Sequence, residues 1–363
     1  MSMKINKIEL ENFRNFAHFS ATFEDVNIIW GDNAQGKTNL LEAIYLFTGA
    51  RSFRGAKENQ LIQTERQNAR LSMEFEGSGR QQTAALTLGT KKSVTLNGVT
   101  KNSKAQLGEE IKAIIFSPDH LSIIKDGPAE RRSFIDNALC QLKANYARLL
   151  KDYHKTMSQR NFLLKDMQTN AGLEELFSLW NKNLAHYGAK IIYQRLKYIE
   201  AITPYVNEIF EGISRQSETI DIVYSPAVGY ETDIQQIEEK LFSMLEEAKT
   251  KDMITLSTGE GPHRDEIDIL INGKNARSFG SQGQQRSCVL ALKLAEAALL
   301  KEMTGIQPVA LLDDVMSELD QSRQDYVLNH IKDSQVFITC CDKDQVLRLK
   351  DGKTIHIVNG QQQ

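Results

Sequence analysis

The sequence predicts an α/β fold in which a mixed sheet is assembled from both ends of the chain and interrupted by a helical lobe. Three observations predict it. Residues 1–117 and 252–363 read as strands alternating with single helices, whereas residues 118–251 read as mostly helical. Between a short apolar run and a helical pattern, Gly31 opens the spacing G-x-x-x-x-G-K-S/T.

In chain order, "KINKIEL" alternates as a strand and "VNIIW" is a short buried strand ending at Gly31. The helix that follows carries Leu40, Leu41, Ile44 and Phe47 on one side and stops near Gly49. "TAALTLGTKKSVTLNGV" reads as further strands around turn signals. From Pro118 to about Met244 the texture is helical, with Pro204 and Pro226 as punctuation and no heptad of coiled-coil length. Strands then return: "EIDILING" alternates, "PVALL" and "QVFIT" are buried strands, and "KTIHIV" is the last, with a helix from Ser281 to Leu300 between the first two.

With 41% hydrophobic and 25% charged residues, the 363-residue chain can bury a substantial core. It contains no run of 18 apolar residues and no signal-peptide pattern at its N-terminus, so a cytoplasmic location is expected. Cys140, Cys288, Cys340 and Cys341 lack metal-ligand spacing and are expected to be reduced thiols. A net charge of −3 offers no overall attraction to a polyanion, so nucleic-acid binding requires a local basic patch.

The stretch Gly31, Asp32, Asn33, Ala34, Gln35, Gly36, Lys37, Thr38, Asn39 is the candidate phosphate cradle. Glycines let backbone N–H groups fold around a β-phosphate, Lys37 neutralises the γ side, and the helix N-terminus adds its partial positive charge. The Thr38 hydroxyl is placed to hold Mg²⁺, and so is Asp313, which follows "PVALL". Two adjacent carboxylates at a strand end repel each other unless a cation offsets them, which makes Asp314 the candidate that positions or deprotonates an attacking water. ATP and Mg²⁺ are the cofactors expected, with Lys37 and Asp314 as catalytic residues.

A third element begins at Ser281. Ser281 and Gln284 have the spacing of a capping box, while Gly283 inside a first helical turn is a poor choice for stability alone. Spacing alone does not say whose phosphate such a turn would hold.

Taken in order, "GDNAQGKTNLLEAI", "IIFSPDHLSIIKDGPAERRSFID", "GPHRDEIDILING", "FGSQGQQR" and "LLDDVMSELD" resemble the ABC-type ATPases, in their SMC-like branch of DNA-maintenance proteins. The resemblance spans residue 4 to about residue 345. It implies an ABC-type ATPase head with an inserted helical lobe, the helix 281–300 lying in the helical side, and an ATP-dependent homodimer. Ser281, Gln282, Gly283 and Gln284 would then reach the γ-phosphate held by a second subunit, Ser317 and Asp320 would lie in the loop at the dimer interface, and Asp119 in "FSPDH" would couple lobe to head. DNA is the implied partner, double- and single-stranded near gaps, together with the recombination proteins RecR, RecO and RecA. Two departures imply slow hydrolysis: Asp314 stands where many relatives have Glu, and Thr339, Cys340, Cys341 and Asp342 stand where a histidine would sense the γ-phosphate. Arg14 resembles an arginine that reaches nucleotide, and an ordinary ion pair accounts for it equally well; for His263 and Arg264, which belong to the family-specific set, the alternatives are an interface or DNA-linked signalling role and turn-stabilising ion pairing.

Arg131, Arg132, Lys143, Arg148, Lys151, Lys155, Arg160 and Lys165 fall in one helical stretch opposed only by Asp136 and Asp152. Of these, Lys143, Arg148, Lys151, Lys155 and Arg160 are the candidate DNA contacts, with Tyr146, Tyr153 and Phe162 available to pack or stack. Arg51, Arg54 and Lys57 form a second candidate patch. The function expected is an ATP-gated DNA-binding dimer of recombinational repair and replication restart with weak ATPase activity. A metabolic ATPase, a transporter subunit and another SMC-like head are the competing readings.

Overall fold

The computed structural model describes residues 3–167, 171–343 and 351–363. Its first elements are β1 (Lys4–Phe13), β2 (Phe16–Thr22), β3 (Val26–Trp30), α1 (Lys37–Leu46), the single turn α2 (Glu58–Leu61), β4 (Asn68–Gly77), β5 (Arg80–Gly89), β6 (Ser93–Leu96), β7 (Val99–Thr100) and β8 (Ala113–Phe116). The middle holds α3 (Ser122–Lys125), α4 (Pro128–Leu142), α5 (Tyr146–Asp166), α6 (Glu174–Ser214), β9 (Ile220–Ser225), α7 (Ile234–Glu247) and α8 (Lys249–Thr255). The last part holds β10 (Glu266–Ile271), β11 (Lys274–Asn275), α9 (Ala276–Phe279), α10 (Gln282–Thr304), β12 (Val309–Leu312), α11 (Gln321–His330), β13 (Val336–Cys340), β14 (Lys353–Val358) and β15 (Gln361–Gln362).

The central sheet runs β15-β14-β3-β13-β12-β8 and is parallel except for β15. Alternate residues of its strands feed two different cores, because successive side chains of a strand point to opposite faces. Ile28, Ile114, Leu312 and Ile338 enter the core shared with α4, α6 and α10. Ile29, Ile115, Leu311 and Phe337 enter the core shared with α1 and the antiparallel sheet β2-β1-β4-β5-β6-β7. In that second sheet the buried positions of β1 jump from Ile5 to Ile8, and a bulge between Ile5 and Lys7 restores the pattern.

Three sequence expectations change. α1 is not one-sided: Glu42, Ala43, Tyr45 and Leu46 are buried along with the expected stripe, because the helix lies between the central sheet and the antiparallel sheet. The stretch 118–244 is not wholly helical, since β9 pairs antiparallel with β10 in a three-stranded sheet completed by β11. The boundary expected at residue 251 therefore falls between two paired strands. Contacts of α10 with α6 and α4 carry the helical side on through residue 304.

Candidate functional site

The phosphate loop is shaped by its own chain. Gly31 has φ 147° and Gly36 φ 118°, both in the region that L side chains avoid. A Cβ on Gly31 would lie 2.4 Å from the Ile357 carbonyl oxygen, and one on Gly36 would lie 2.7 Å from Asn15 Nδ2. Asn15 braces the loop from outside, donating to the Gln35 carbonyl at 2.8 Å and accepting from Asn39 Nδ2 at 2.8 Å. Within the loop Lys37 is buried, and its Nζ donates to the carbonyls of Gly31 at 2.8 Å and Asp32 at 3.1 Å. Cys341 reaches the same place, with Sγ 3.7 Å from Lys37 Nζ and donating to Asn33 Oδ1 at 3.2 Å.

Across β3 and β13 the acidic partner comes into reach. Thr38 Oγ1 donates to Asp313 Oδ1 at 2.8 Å, although 275 residues separate them in sequence. Burial pushes the Asp313 carboxyl above its ordinary value, with Asp314 adding repulsion, while Thr38 and Thr339 pull it back. Thr339 ties the pair together: its Oγ1 lies 3.0 Å from Asp313 Oδ1 and accepts the Asp314 N–H at 2.8 Å. Asp314 itself has φ 50°, so its backbone leaves the strand abruptly and its half-buried side chain departs from the path of Asp313. Sequence reading singled out Asp313 and Asp314, and missed Thr339 as their brace and Asn15 as that of the loop.

The Ser281 turn is built differently. Ser281 Oγ accepts the Gln284 N–H at 3.2 Å and Gln284 Oε1 accepts the Ser281 N–H at 2.7 Å, which completes the capping box. Ser281 and Gln282 are exposed, and a Cβ on Gly283 would meet only ordinary contact, 3.6 Å from Arg323 Nη2. Arg323 fastens this turn to the loop before α11: it donates to Ser287 Oγ at 3.1 Å and to the Gly283 carbonyl at 3.4 Å, and pairs with Asp320. Asp320 caps α11 by accepting the Arg323 N–H at 3.1 Å, and that bond first, then the side-chain pairing, holds its carboxyl low. Arg286 adds a bond to the Glu318 carbonyl at 2.9 Å, and Ser317 is exposed beside it. Ser281–Gln284, Ser317 and Asp320 thus share one surface. Neither arginine was singled out from the sequence.

Asp119 is exposed on the turn after β8, where Ser117 Oγ accepts its N–H at 3.3 Å. It lines a cleft of ≈ 340 Å³ with Arg54, Lys293 and Glu296, between α1 and α10. Arg14 pairs with Glu42 through Nε at 2.8 Å and Nη2 at 2.9 Å, so the ion-pair alternative describes its contacts. His263 is a lobe tie: its Nδ1 meets Tyr153 OH at 2.7 Å and its Nε2 meets the Thr258 carbonyl at 3.0 Å. Burial lowers it to about 4, so it is a neutral ring that donates from Nε2 and accepts at Nδ1. Arg264 is exposed.

The expected basic helix face requires correction. Arg160 is fully buried in α5, paired with Asp252 at 2.7 Å and donating to Asn181 and Thr258, so it cannot contact DNA. An unpaired buried guanidinium would cost far more than the pair, which explains these partners and the further bond to the Leu245 carbonyl at 3.3 Å. Arg131, Tyr146 and Tyr153 are buried as well. Lys143 is half-buried and donates to Gln194. Arg148, Lys151, Lys155 and Lys165 are exposed.

A phosphate loop, a buried carboxylate hydrogen-bonded to its threonine, and a parallel sheet between a helical lobe and an antiparallel sheet together define a P-loop ATPase head of the SMC type. The family profile described as "RecF/RecN/SMC N terminal domain" matches residues 4–363. The chain is 36% identical over 363 residues to the DNA replication and repair protein RecF of Lachnoclostridium phytofermentans, covering 99% of both. It is 38% identical over 364 residues to that of Agathobacter rectalis, covering 99% of this chain and 98% of the relative. A solved structure of "the recombination mediator protein RecF-ATP in RecFOR pathway" superposes with a TM-score of 0.92 at 37% identity, over 100% of this chain and 97% of the other. The Smc head domain of Pyrococcus furiosus shares the fold at a TM-score of 0.53 and 16% identity, over 99% and 95% of the two chains. The chain belongs to the RecF family.

Proposed function

We propose that this chain is a cytoplasmic, ATP-dependent DNA-binding protein of recombinational repair and replication restart that works as a pair of heads. Gly31–Asn39 fit a nucleotide: the loop is held open by two glycines that its own packing demands, with Lys37 at its centre. Thr38 and the buried Asp313 would hold Mg²⁺, which supplies charge neutralisation at the terminal phosphates. The observation that carries the dimer is Gly283. Nothing among the described residues requires a glycine there, so the close approach that Gly283 permits is to something outside them, and a second copy supplies it. The Ser281–Gln284 turn of one copy closes on the nucleotide of the other, with Ser317 and Asp320 beside it.

Hydrolysis is weak, DNA-stimulated and used for release, because Asp314 is short for a base and no histidine stands at Cys341. The exposed cations Arg148, Lys151 and Lys155 on α5 contact DNA near gaps, duplex or single-stranded, and RecO and RecR are the partners in loading RecA. Sedimentation tests the pairing: ATP and Mg²⁺ should dimerise the wild type, and neither Lys37→Arg nor Ser281→Arg. A wild type that stays monomeric throughout removes the shared site. Reversing Lys151 and Lys155 to Glu should weaken duplex binding and flatten its salt dependence by about two counterions; unchanged affinity moves the DNA surface elsewhere.

A further inference from the structure

The stretch after α1 meets the helical lobe in a cleft that the nucleotide site does not use. The chain turns at Gly49, where a Cβ would lie 2.7 Å from Ala105 Cα, and this close approach sets Arg51 beside Lys104. From the other side α4, α5 and α6 contribute Arg132, Lys151, His154 and Arg195, enclosing ≈ 410 Å³. Two basic stretches a hundred residues apart in sequence thus converge on one space of small-ligand size.

The charges there are not balanced. Asp136 is the sole carboxylate of the described lining, and it is already occupied: Arg195 takes both its oxygens at 2.9 and 2.8 Å, and Tyr146 OH donates to it at 2.7 Å. Asp265 lies behind the wall, 3.8 Å from Arg195, and accepts from Tyr224 and from the Ala227 N–H. Arg132 donates to the Asp265 carbonyl at 2.7 Å and Lys104 to the Ala50 carbonyl at 2.7 Å, neither of them a counter-charge. Glu58, which offsets part of the Lys104 charge, is itself paired with Lys92 at 2.9 Å. Among the described residues the side chains of Arg51, Lys151 and His154 have no hydrogen-bond or ion-pair partner.

The crowding registers on the groups themselves. Burial and then Arg51 bring Lys104 down to about 8. Burial and then Arg195 lower Arg132, and burial and then Arg51 lower His154, with Asp136 opposing and Arg195 reinforcing the last. Clustered cations in a partly desolvated cleft are unfavourable unless an anion completes the site.

We propose that this cleft is a second anion site, separate from the nucleotide cradle, that takes a phosphoryl group. Arg51, Lys151 and His154 are its free donors, and the half-buried Lys104 and Arg132 add to the positive field. The cleft is too small for a duplex, so the group comes from a DNA strand or from a free phosphorylated small molecule. Only the first source rests on the DNA reading above. α1 links the two sites: its ten residues span about 15 Å from the phosphate loop to the edge of the cleft.

The test reads the His154 ring by NMR, assigned with His154→Gln, in the full-length protein without ATP. The probes are inorganic pyrophosphate, a short 5′-phosphorylated oligonucleotide and the same strand without its phosphate. An anion beside His154 should raise its titration midpoint by about one pH unit. Arg51→Gln, at an exposed side chain without a structural bond, should remove most of that rise while leaving the thermal midpoint unchanged. A rise with pyrophosphate alone assigns the site to a free ligand, a rise only with the phosphorylated strand assigns it to a strand end, and equal rises with both strands assign it to backbone phosphate. A midpoint unmoved by all three probes, or the same rise in Arg51→Gln, overturns the site. The Lys151 and Lys155 duplex measurement is read separately, so loss of the DNA reading would leave a pyrophosphate response standing.

Discussion

The loop before α1 and the turn before α10 both bring a glycine to the start of a helix, and their surroundings differ. At the first, the chain itself leaves no alternative: Gly31 is pressed against Ile357 and Gly36 against Asn15, both at positive φ. At the second, Gly283 has ordinary φ, only ordinary contacts for a Cβ, and Ser281 and Gln282 exposed beside it. The first loop is half-buried and braced by Asn15, Thr339 and Asp313; the second is braced from behind, by Arg323, by Arg286 and by the bond from Gln284 to Glu218. One glycine is explained by folding and the other by what arrives from outside, and that contrast separates a preformed binding cradle from a docking face.

The contrast breaks most visibly at the glycines. Gly31→Ala should lower the thermal midpoint by about 10 °C and abolish nucleotide binding, because both φ and the Ile357 carbonyl oppose a Cβ. Gly283→Ala should melt with the wild type and bind ATP as a monomer equally well, yet weaken the ATP-dependent dimer at least about tenfold in sedimentation. If Gly283→Ala lost monomer affinity too, the turn would belong to its own subunit's site and the distinction would collapse.

A smaller effect sharpens the same point at Asp313. Its raised carboxyl pKa means that the folded state holds the proton more tightly than the unfolded chain does. The stability this contributes is fully present below the unfolded carboxylate value and is lost as pH rises through the folded one. Asp313→Asn should therefore melt about 1–3 °C above the apo wild type at neutral pH and converge with it in acid, while losing the extra stabilisation that Mg²⁺ adds to nucleotide. A neutral-pH midpoint below that of the wild type would show that the charge is stabilising in place, and so not poised for a cation.

Much of this was legible because the chemistry is local in sequence. The cradle is contiguous, and Asp313 follows a strand whose four apolar residues are all buried. What was not legible depends on partners far along the chain. β9 reads as a gap between helices because its alternation, Ile220 in and Asp221 out, becomes meaningful only against β10. Arg160 was counted with the basic stretch offered to DNA, although it falls on the stripe Tyr153, Thr156, Arg160, Leu163 that faces the lobe core. Helical periodicity could have found it; net charge could not. Arg323 and Arg286 carry no sequence signal, since each acts through a backbone carbonyl or hydroxyl that only the fold brings near.

The strand that ends at the cradle has consequences for synthesis. β3 is translated well before both its neighbours, β13 and β14, and the Gln335 side chain grips the Ile5 backbone at 2.7 Å on both N–H and carbonyl. Apolar Ile28 and Ile29 must therefore wait, unpaired, until the helical lobe and α10 have been translated. Ending translation before Lys353 would leave one edge of β3 bare, so a nascent chain stalled there is a natural client for chaperones and a natural target for proteases.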